Sequence, residues 1–218
     1  MTILLLGATG RTGRHLLQQA LDRGHTVHAL VRDPAAIKLN HSNLRLFEGS
    51  PLDREKLSVA MEGTEAIVSA LNVSRTSDWP WAPLRSPADL LSKCAGYLQE
   101  LATARGIQRL VVMSAWGVAE TRKDIPFWFR WAIEHSNLKF PYSDHERQEQ
   151  VLLQGSLNFT AVRAAGLTNG KGSQEVIISI GNKPRPRLLI SRATVAGFML
   201  DLLPADRYPR QCIVVSAK

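Results

Sequence analysis

The segment with the clearest chemistry lies near the start of the chain, at Gly7-Ala8-Thr9-Gly10-Arg11-Thr12-Gly13. It follows a short apolar run, residues 3–6. It opens a stretch, residues 12–22, with Leu16, Leu17, Ala20 and Leu21 on one helical face. Gly7 permits a tight turn, and Gly10 lets a phosphate approach the backbone with no Cβ in the way. Gly13 lets the helix lie close on the strand. The bare N–H groups of the first helical turn then face a pyrophosphate, which the helix dipole also favours. A strand, a glycine turn and a helix at the head of a βαβ chain predict a dinucleotide site. An ordinary glycine-rich strand–helix turn is the simpler alternative. A Walker-type phosphate loop is excluded, because no Gly-Lys-Ser/Thr follows.

The second strand decides which dinucleotide. An NAD site places Asp or Glu at its end, on the ribose 2′-OH. Here that strand ends Val31-Arg32-Asp33-Pro34. Arg32 falls where a 2′-phosphate would sit, and a guanidinium makes paired bonds to phosphate. Arg11 could add a second positive charge. These residues predict NADP(H) over NAD(H). Asp33 argues the other way if the strand runs one residue further, and a solvated strand-end charge is the plain alternative for Arg32.

The elements that position these residues read from apolar periodicity. Strands are expected at 3–6, 26–31, 44–47, 66–71 and 110–114, with later candidates at 159–163, 176–180 and 213–215. Helices are expected at 12–22, at 87–104 with Pro87 in the first helical position, and at 191–203 with Ser191 as N-cap. Continuous apolar strands alternating with helices imply βαβ units and a parallel sheet covered on both faces. The expected fold is α/β: a Rossmann-type doubly wound parallel sheet with helices on both faces and a small C-terminal substrate-side region. The 218 residues are expected to form a single NAD(P)-binding Rossmann domain, with the substrate side built from about 72–86, 118–142 and 166–190.

Composition narrows the classes. Hydrophobic residues make up 44% and charged residues 21%, which excludes a disordered, collagen-like or coiled-coil chain. Two cysteines, Cys94 and Cys212, cannot build a disulfide framework or a zinc site, and no metal site is expected. There is no basic leader before the apolar start and no run of roughly 18 apolar residues. A soluble cytoplasmic protein with no membrane partner is expected. Lys+Arg 27 against Asp+Glu 19 gives +8, which favours anionic partners. The densest basic stretch, Lys183-Pro-Arg185-Pro-Arg187, reads as a solvated loop. No nucleic-acid fold signature is present, and no nucleic-acid partner is expected.

Further segments carry a resemblance. Gly-Ala-Thr-Gly-Arg-Thr-Gly (7–13), Val-Arg-Asp (31–33), Ser-Ala-Trp-Gly-Val (114–118), Ser-Asp-His-Glu-Arg-Gln-Glu (143–149) and Phe-Thr-Ala-Val-Arg (159–163), then Gly166-Leu-Thr, occur in order. The chain resembles the atypical short-chain dehydrogenase/reductases with an NAD(P)H-binding, NmrA-like domain, nearest the biliverdin reductase B/flavin reductase group. The resemblance implies NADP(H) across the carboxyl ends of the strands. Gly7, Thr9, Gly10, Arg11, Thr12 and Gly13 would hold the pyrophosphate and Arg32 the 2′-phosphate. Ser50 and Pro51 would lie beside the adenine, although many relatives have Asp in place of Ser50. Ala70, Leu71 and Asn72 would line the ribose. Ser114 and Ala115 would sit near the nicotinamide, with Ala165 and Gly166 at its carboxamide.

The chain departs from the main-group pattern of Ser plus Tyr-x-x-x-Lys, in which Tyr exchanges a proton with the substrate. Alignment on Glu149 puts Ser143 at the Tyr position and Arg147 at the Lys position. Tyr142 is one residue out of register and is followed by Glu146 instead of Lys. Arg147 cannot be a neutral base, but it could hold a phosphate or ribose. Ser114 is a candidate hydrogen-bond donor near the nicotinamide ring, or a strand-end cap. His145 is a candidate proton donor, since a histidine titrates near neutrality. Its alternative is a structural pairing with Asp144 or Glu149. Tyr142 is a third catalytic candidate, or a packing residue behind Pro141.

These residues point to NADPH-dependent reduction of a small planar conjugated acceptor of flavin, quinone or tetrapyrrole type, by a monomer or homodimer. Such an acceptor delocalises the incoming charge, so protonation can come from water. A non-catalytic NADP(H)-binding redox sensor is the alternative. A sugar-nucleotide epimerase fits less well, given the lost Tyr–Lys pair. Trp79, Trp81, Trp116 and the cluster Phe127, Trp128, Phe129 and Trp131 could wall or cover a planar substrate. A packed satellite helix or an oligomer contact is the alternative, and an interfacial helix at residues 127–131, with Arg122, Lys123 and Arg130 nearby, is a more remote one.

Overall fold

The computed structural model describes all residues except Gln108, Lys171, Ser173, Ala205 and Asp206. Strand β1 (Thr2–Leu6) runs through the glycine turn into helix α1 (Arg11–Asp22), and β2 (Thr26–Val31) returns parallel to β1. Next come β3 (Leu44–Glu48), α2 (Arg54–Ala60), β4 (Ala66–Ser69), α3 (Leu90–Ala104) and β5 (Arg109–Ala115). The chain continues through α4 (Phe127–Glu134), α5 (Lys139–Gln154), β6 (Asn158–Ala164), β7 (Gly166–Thr168) and β8 (Val176–Ser179). It closes with β9 (Leu189–Ser191), α6 (Arg192–Asp201) and β10 (Gln211–Ala217).

The eight-stranded sheet has the order β3-β2-β1-β4-β5-β6-β10-β8. Every neighbouring pair is parallel except β10 with β8. Strand order reverses between β1 and β4, the switch point of a doubly wound Rossmann-type fold, where a crevice opens beyond the carboxyl ends of the strands. Alternation along β1 supplies both layers: Ile3 and Leu5 pack with α1 and α6, whereas Leu4 and Leu6 pack with α2 and α3. This double burial is why the strands read as unbroken apolar runs.

Several expectations are corrected. The antiparallel edge strand β8 breaks an otherwise parallel sheet. The short pair β7–β9 and helix α2 carry too little periodicity to be read from sequence, although Asp53 caps α2 by accepting from the N–H groups of Glu55 and Lys56. Strand β4 stops at Ser69, which frees Ala70 and Leu71 to turn into the crevice. Helix α3 begins at Leu90, three residues after Pro87. Its cap comes from 53 residues away, where the buried carboxylate of Asp144 accepts from Leu91 N–H at 2.7 Å. Asp144 also accepts from the Ser92 hydroxyl at 2.6 Å. That charge satisfies first-turn amides that nothing local reaches. Ser191 caps α6 as expected, its Oγ accepting from Thr194 N–H at 3.0 Å.

Candidate functional site

The carboxyl ends of the parallel strands open into a cavity of about 1020 Å³. Its floor at one end is the glycine turn. Gly7 sits at φ +82°, where a Cβ would stand 2.9 Å from the Ala70 carbonyl. Gly10 is the N-cap of α1 and no side chain caps that helix, so its first-turn N–H groups are open to an anion. Gly13 is the packing glycine: a Cβ there would meet the Gly7 carbonyl oxygen at 1.9 Å.

The cavity wall gathers Gly7, Thr9, Gly10, Arg11 and Thr12 with Arg32, Ser50 and Pro51 from the neighbouring strand ends. Ala70, Leu71 and Asn72 follow β4, Ser114 and Ala115 end β5, and Ala165 and Gly166 follow β6. Tyr142 and His145 reach it from α5. Two expected residues do not line it. Gly13 is consumed in helix–strand packing. Arg147 points away, donating to the Ala88 carbonyl at 2.9 Å and to Asp144 at 3.3 Å. The face of α5 turned to the cavity is Leu138, Pro141, Tyr142 and His145, so the register that placed Ser143 and Arg147 there is corrected by the helical period.

Arg32 and Asp33 separate cleanly. Strand β2 ends at Val31, and Asp33 turns back to accept from Ala35 N–H at 2.9 Å. Arg32 faces the cavity and also borders a smaller depression with Gly49, Ser50 and Lys56. Lys56 is a cation that sequence reading missed; it becomes visible only once α2 is placed beside β2. Arg192, buried at the start of α6, also lines the cavity, with a hydrogen bond to Asn169 at 2.6 Å. Its pKa is lowered by burial and by Arg11 nearby. Arg11 is held by Asp78 through two 2.7 Å bonds. The hydrogen bond from Arg11 keeps the Asp78 carboxyl below its ordinary pKa. An ion pair this exposed is worth about 1 kcal/mol at most. Asp78→Asn should therefore release Arg11 and tighten NADPH binding by about three- to fivefold in a fluorescence titration. Weaker binding in that variant would mean that Asp78 holds Arg11 in its productive place.

At the other end of the cavity the catalytic candidates behave differently from expectation. Ser114 donates its proton to Glu149 at 2.7 Å. Glu149 is itself bound by Arg163 at 3.0 and 2.7 Å, and all three side chains are buried. Arg163 also meets Glu120. Burial opposes the charge on Arg163, but the bonds from Glu149 and Glu120 outweigh it and raise its pKa. A hydroxyl has one proton. Ser114 can thus only accept from the cavity side, which corrects its reading as a donor.

His145 pairs with neither Asp144 nor Glu149, and its Nδ1 has no hydrogen-bond partner. Burial lowers its pKa from 6.5 to about 4. It is a neutral imidazole near neutral pH, which corrects its reading as an imidazolium donor. Because the folded pKa lies below the unfolded one, the unfolded chain takes up the proton first as pH falls. Stability should drop by about 3 kcal/mol between pH 6.5 and 4. Urea unfolding of wild type and His145→Gln across that window checks this: the wild type should lose stability more steeply. Parallel curves would contradict the buried neutral form. Tyr142 is half-buried, edge-on to Phe129 at 6.2 Å, and burial raises its pKa. It keeps its proton, and burial alone, with no cation beside it among the described residues, sets that shift.

Trp116, Trp128 and Phe129 also line this end, whereas Phe127, Trp131, Trp79 and Trp81 do not, so the aromatic cluster is only partly a cavity wall. Among the described residues no group of three or more His, Cys, Asp or Glu could hold a metal ion, and no helix is long and apolar enough to cross a membrane.

A protein-family model described as NAD(P)H-binding matches residues 7–206. Among curated proteins the chain is similar to the photosystem II assembly factor Ycf39 of a Synechocystis strain, 28% identical over 185 residues, covering 84% of this chain and 50% of that protein. The chain thus spans about half the length of the curated relatives that lead this comparison. Among solved structures it is similar to ChuY, described as an anaerobillin reductase, from Escherichia coli O157:H7 (TM-score 0.79, 19% identity, 100% of this chain and 97% of that one). It is also similar to a short-chain dehydrogenase/reductase from Veillonella parvula DSM 2008, solved in complex with NADP (TM-score 0.77, 18% identity, 99% and 94%).

Proposed function

Because this chain belongs to the NAD(P)H-binding family, we propose that it is an NADPH-dependent reductase that passes hydride to a small conjugated acceptor of flavin, quinone or tetrapyrrole type. The observation that carries this reading is the continuity of one cavity. A cationic, amide-lined end at Gly10, Arg11 and Arg32 runs into an aromatic end at Trp116, Trp128, Phe129 and Tyr142. The uncapped start of α1 and the cradle at Gly7, which a Cβ would fill, fit a diphosphate. Arg32 and Lys56 fit a 2′-phosphate, with Ser50 and Pro51 beside the adenine. Ala70, Leu71 and Asn72 would line the ribose, and Ala165 and Gly166 the carboxamide.

Bound NADPH supplies the hydride at its nicotinamide. The residues of this chain orient and desolvate. Trp116, Phe129 and Tyr142 present a largely apolar wall to a planar acceptor and keep water out. Tyr142 stays protonated and can donate a hydrogen bond to an acceptor oxygen; His145 is neutral and can do the same. Neither is set up as the base of an alcohol oxidation, so the site suits acceptors that spread the incoming charge and take their proton from water. The fold neighbour ChuY, an anaerobillin reductase, is in keeping with such an acceptor.

The Ser114 hydroxyl, already engaged by Glu149, and the absent Tyr–Lys pair favour one other reading, a non-catalytic NADP(H) sensor. The assembly-factor relative is in keeping with it. The experiment is a titration with NADPH, followed by addition of FMN, a quinone or biliverdin while the nicotinamide absorbance is read. Oxidation of NADPH above the protein-free rate supports the reductase. Tight binding with no turnover on any acceptor supports the sensor.

A further inference from the structure

Helix α4 is built inside out. Ile133 is its buried anchor, whereas Phe127, Trp128 and Trp131 are 72%, 65% and 49% exposed. Trp79 and Trp81 extend the same surface, 65% and 46% exposed and 5.3 Å apart. Contacts from the end of α4 hold the two segments together: Trp81 Nε1–H donates to the His135 carbonyl at 2.9 Å, and the Asn137 side-chain amide donates to the Trp81 carbonyl at 2.8 Å. Five large aromatic side chains thus form one outward face, far beyond the scattered exposed apolar residues of an ordinary surface.

We propose that this face docks on an anionic phospholipid bilayer, with the cavity mouth turned toward the membrane. The side chains are those of the headgroup zone, where Trp in particular settles. The charges fit the sign. Two acids near the face are already paired with cations, Asp78 with Arg11 and Glu120 with Arg163, and Asp124 accepts from the neutral amide of Asn182 at 3.2 Å. Among the described residues Lys123, Arg130 and Lys139 have no carboxylate partner; Arg130 lies over the Phe127 ring at 5.7 Å and Lys139 over the Phe140 ring at 5.3 Å. Asp124 and Glu134 are the nearby acids without a cation in ion-pair reach among the described residues, two against those three cations. Trp, Phe and Arg are common to protein interfaces and bilayer surfaces, but lysine is depleted from the former and suits lipid phosphates, so Lys123 and Lys139 favour a bilayer over a second protein. Trp128 is both exposed and cavity-lining, so the cavity borders the face at that side chain.

The test is co-sedimentation of the full chain with vesicles of phosphatidylcholine containing phosphatidylglycerol, and with phosphatidylcholine alone. The wild type should sediment with the anionic vesicles and release as salt rises. Phe127→Ser/Trp131→Ser should lower the bound fraction by at least about tenfold while NADPH titrates unchanged, since neither residue lines the cavity. Lys123→Glu/Lys139→Glu, which leaves the aromatic face intact, should weaken binding at low salt. A wild type that stays in the supernatant, or a serine variant that sediments like it, overturns the proposal. So does a concentration-dependent dimer that the serine variant abolishes, which would assign the face to a second copy. Failure of NADPH turnover would leave this inference standing, because the vesicle assay does not depend on it.

Discussion

Arg32→Glu should weaken NADPH about 100-fold and leave NADH within about threefold. The guanidinium stands at the end of β2, facing both the cavity and the depression with Lys56 and Ser50. A charge-assisted contact to a phosphate contributes about 1.5–3 kcal/mol, and the glutamate adds repulsion on top of that loss. At 1.4 kcal/mol per tenfold, the lower half of that range already approaches 100-fold once repulsion is included. NADH has no 2′-phosphate and should be nearly indifferent. Parallel titrations of both nucleotides check this. An equal loss for both would remove Arg32 from the 2′-phosphate position, and Lys56→Ala would then be the next variant to titrate.

Glu149→Ala should cost about 3–5 kcal/mol of folding stability, read as the shift in a urea unfolding curve. Glu149 receives Ser114 on one oxygen and Arg163 on both, and its removal leaves the Arg163 guanidinium, 3% exposed, with Glu120 alone. A buried cation stripped of its main partner keeps its desolvation cost and loses the compensating attraction. Glu149→Gln should cost less, since the amide retains an acceptor for Ser114. A loss below about 1 kcal/mol for Glu149→Ala would show that water reaches Arg163 readily.

What is legible in the sequence is what depends on near neighbours. The glycine turn, the span of β2 and the Ser191 cap are each set within a few residues, and they stand in the structure as read. The two-faced burial of the strands is legible too, because both layers leave an apolar mark on each alternate residue. The harder features come from distant parts of the chain. Helix α3 starts at Leu90 because Asp144, on α5, supplies its cap. His145 is neutral because the fold buries it, and sequence carries no sign of how much water a histidine keeps. Ser114 looks like a free donor until Glu149 arrives from α5 to take its proton. Arg147 looks like a site residue until the helical period turns it toward Ala88. Arg192 joins the cavity wall, and Lys56 the smaller depression beside it, only through the placement of α6 and α2.

One measurement tests hydride transfer within this cavity most directly: single turnover with NADPH carrying deuterium on one face of C4, run separately for each face, with FMN or biliverdin as acceptor. A nicotinamide held between the strand ends and the aromatic wall can offer only one face to the acceptor. The expected result is oxidation above the protein-free rate, with deuterium lost from one labelled cofactor and retained in the product of the other. Equal loss from both faces, or no oxidation beyond the protein-free rate, would contradict it.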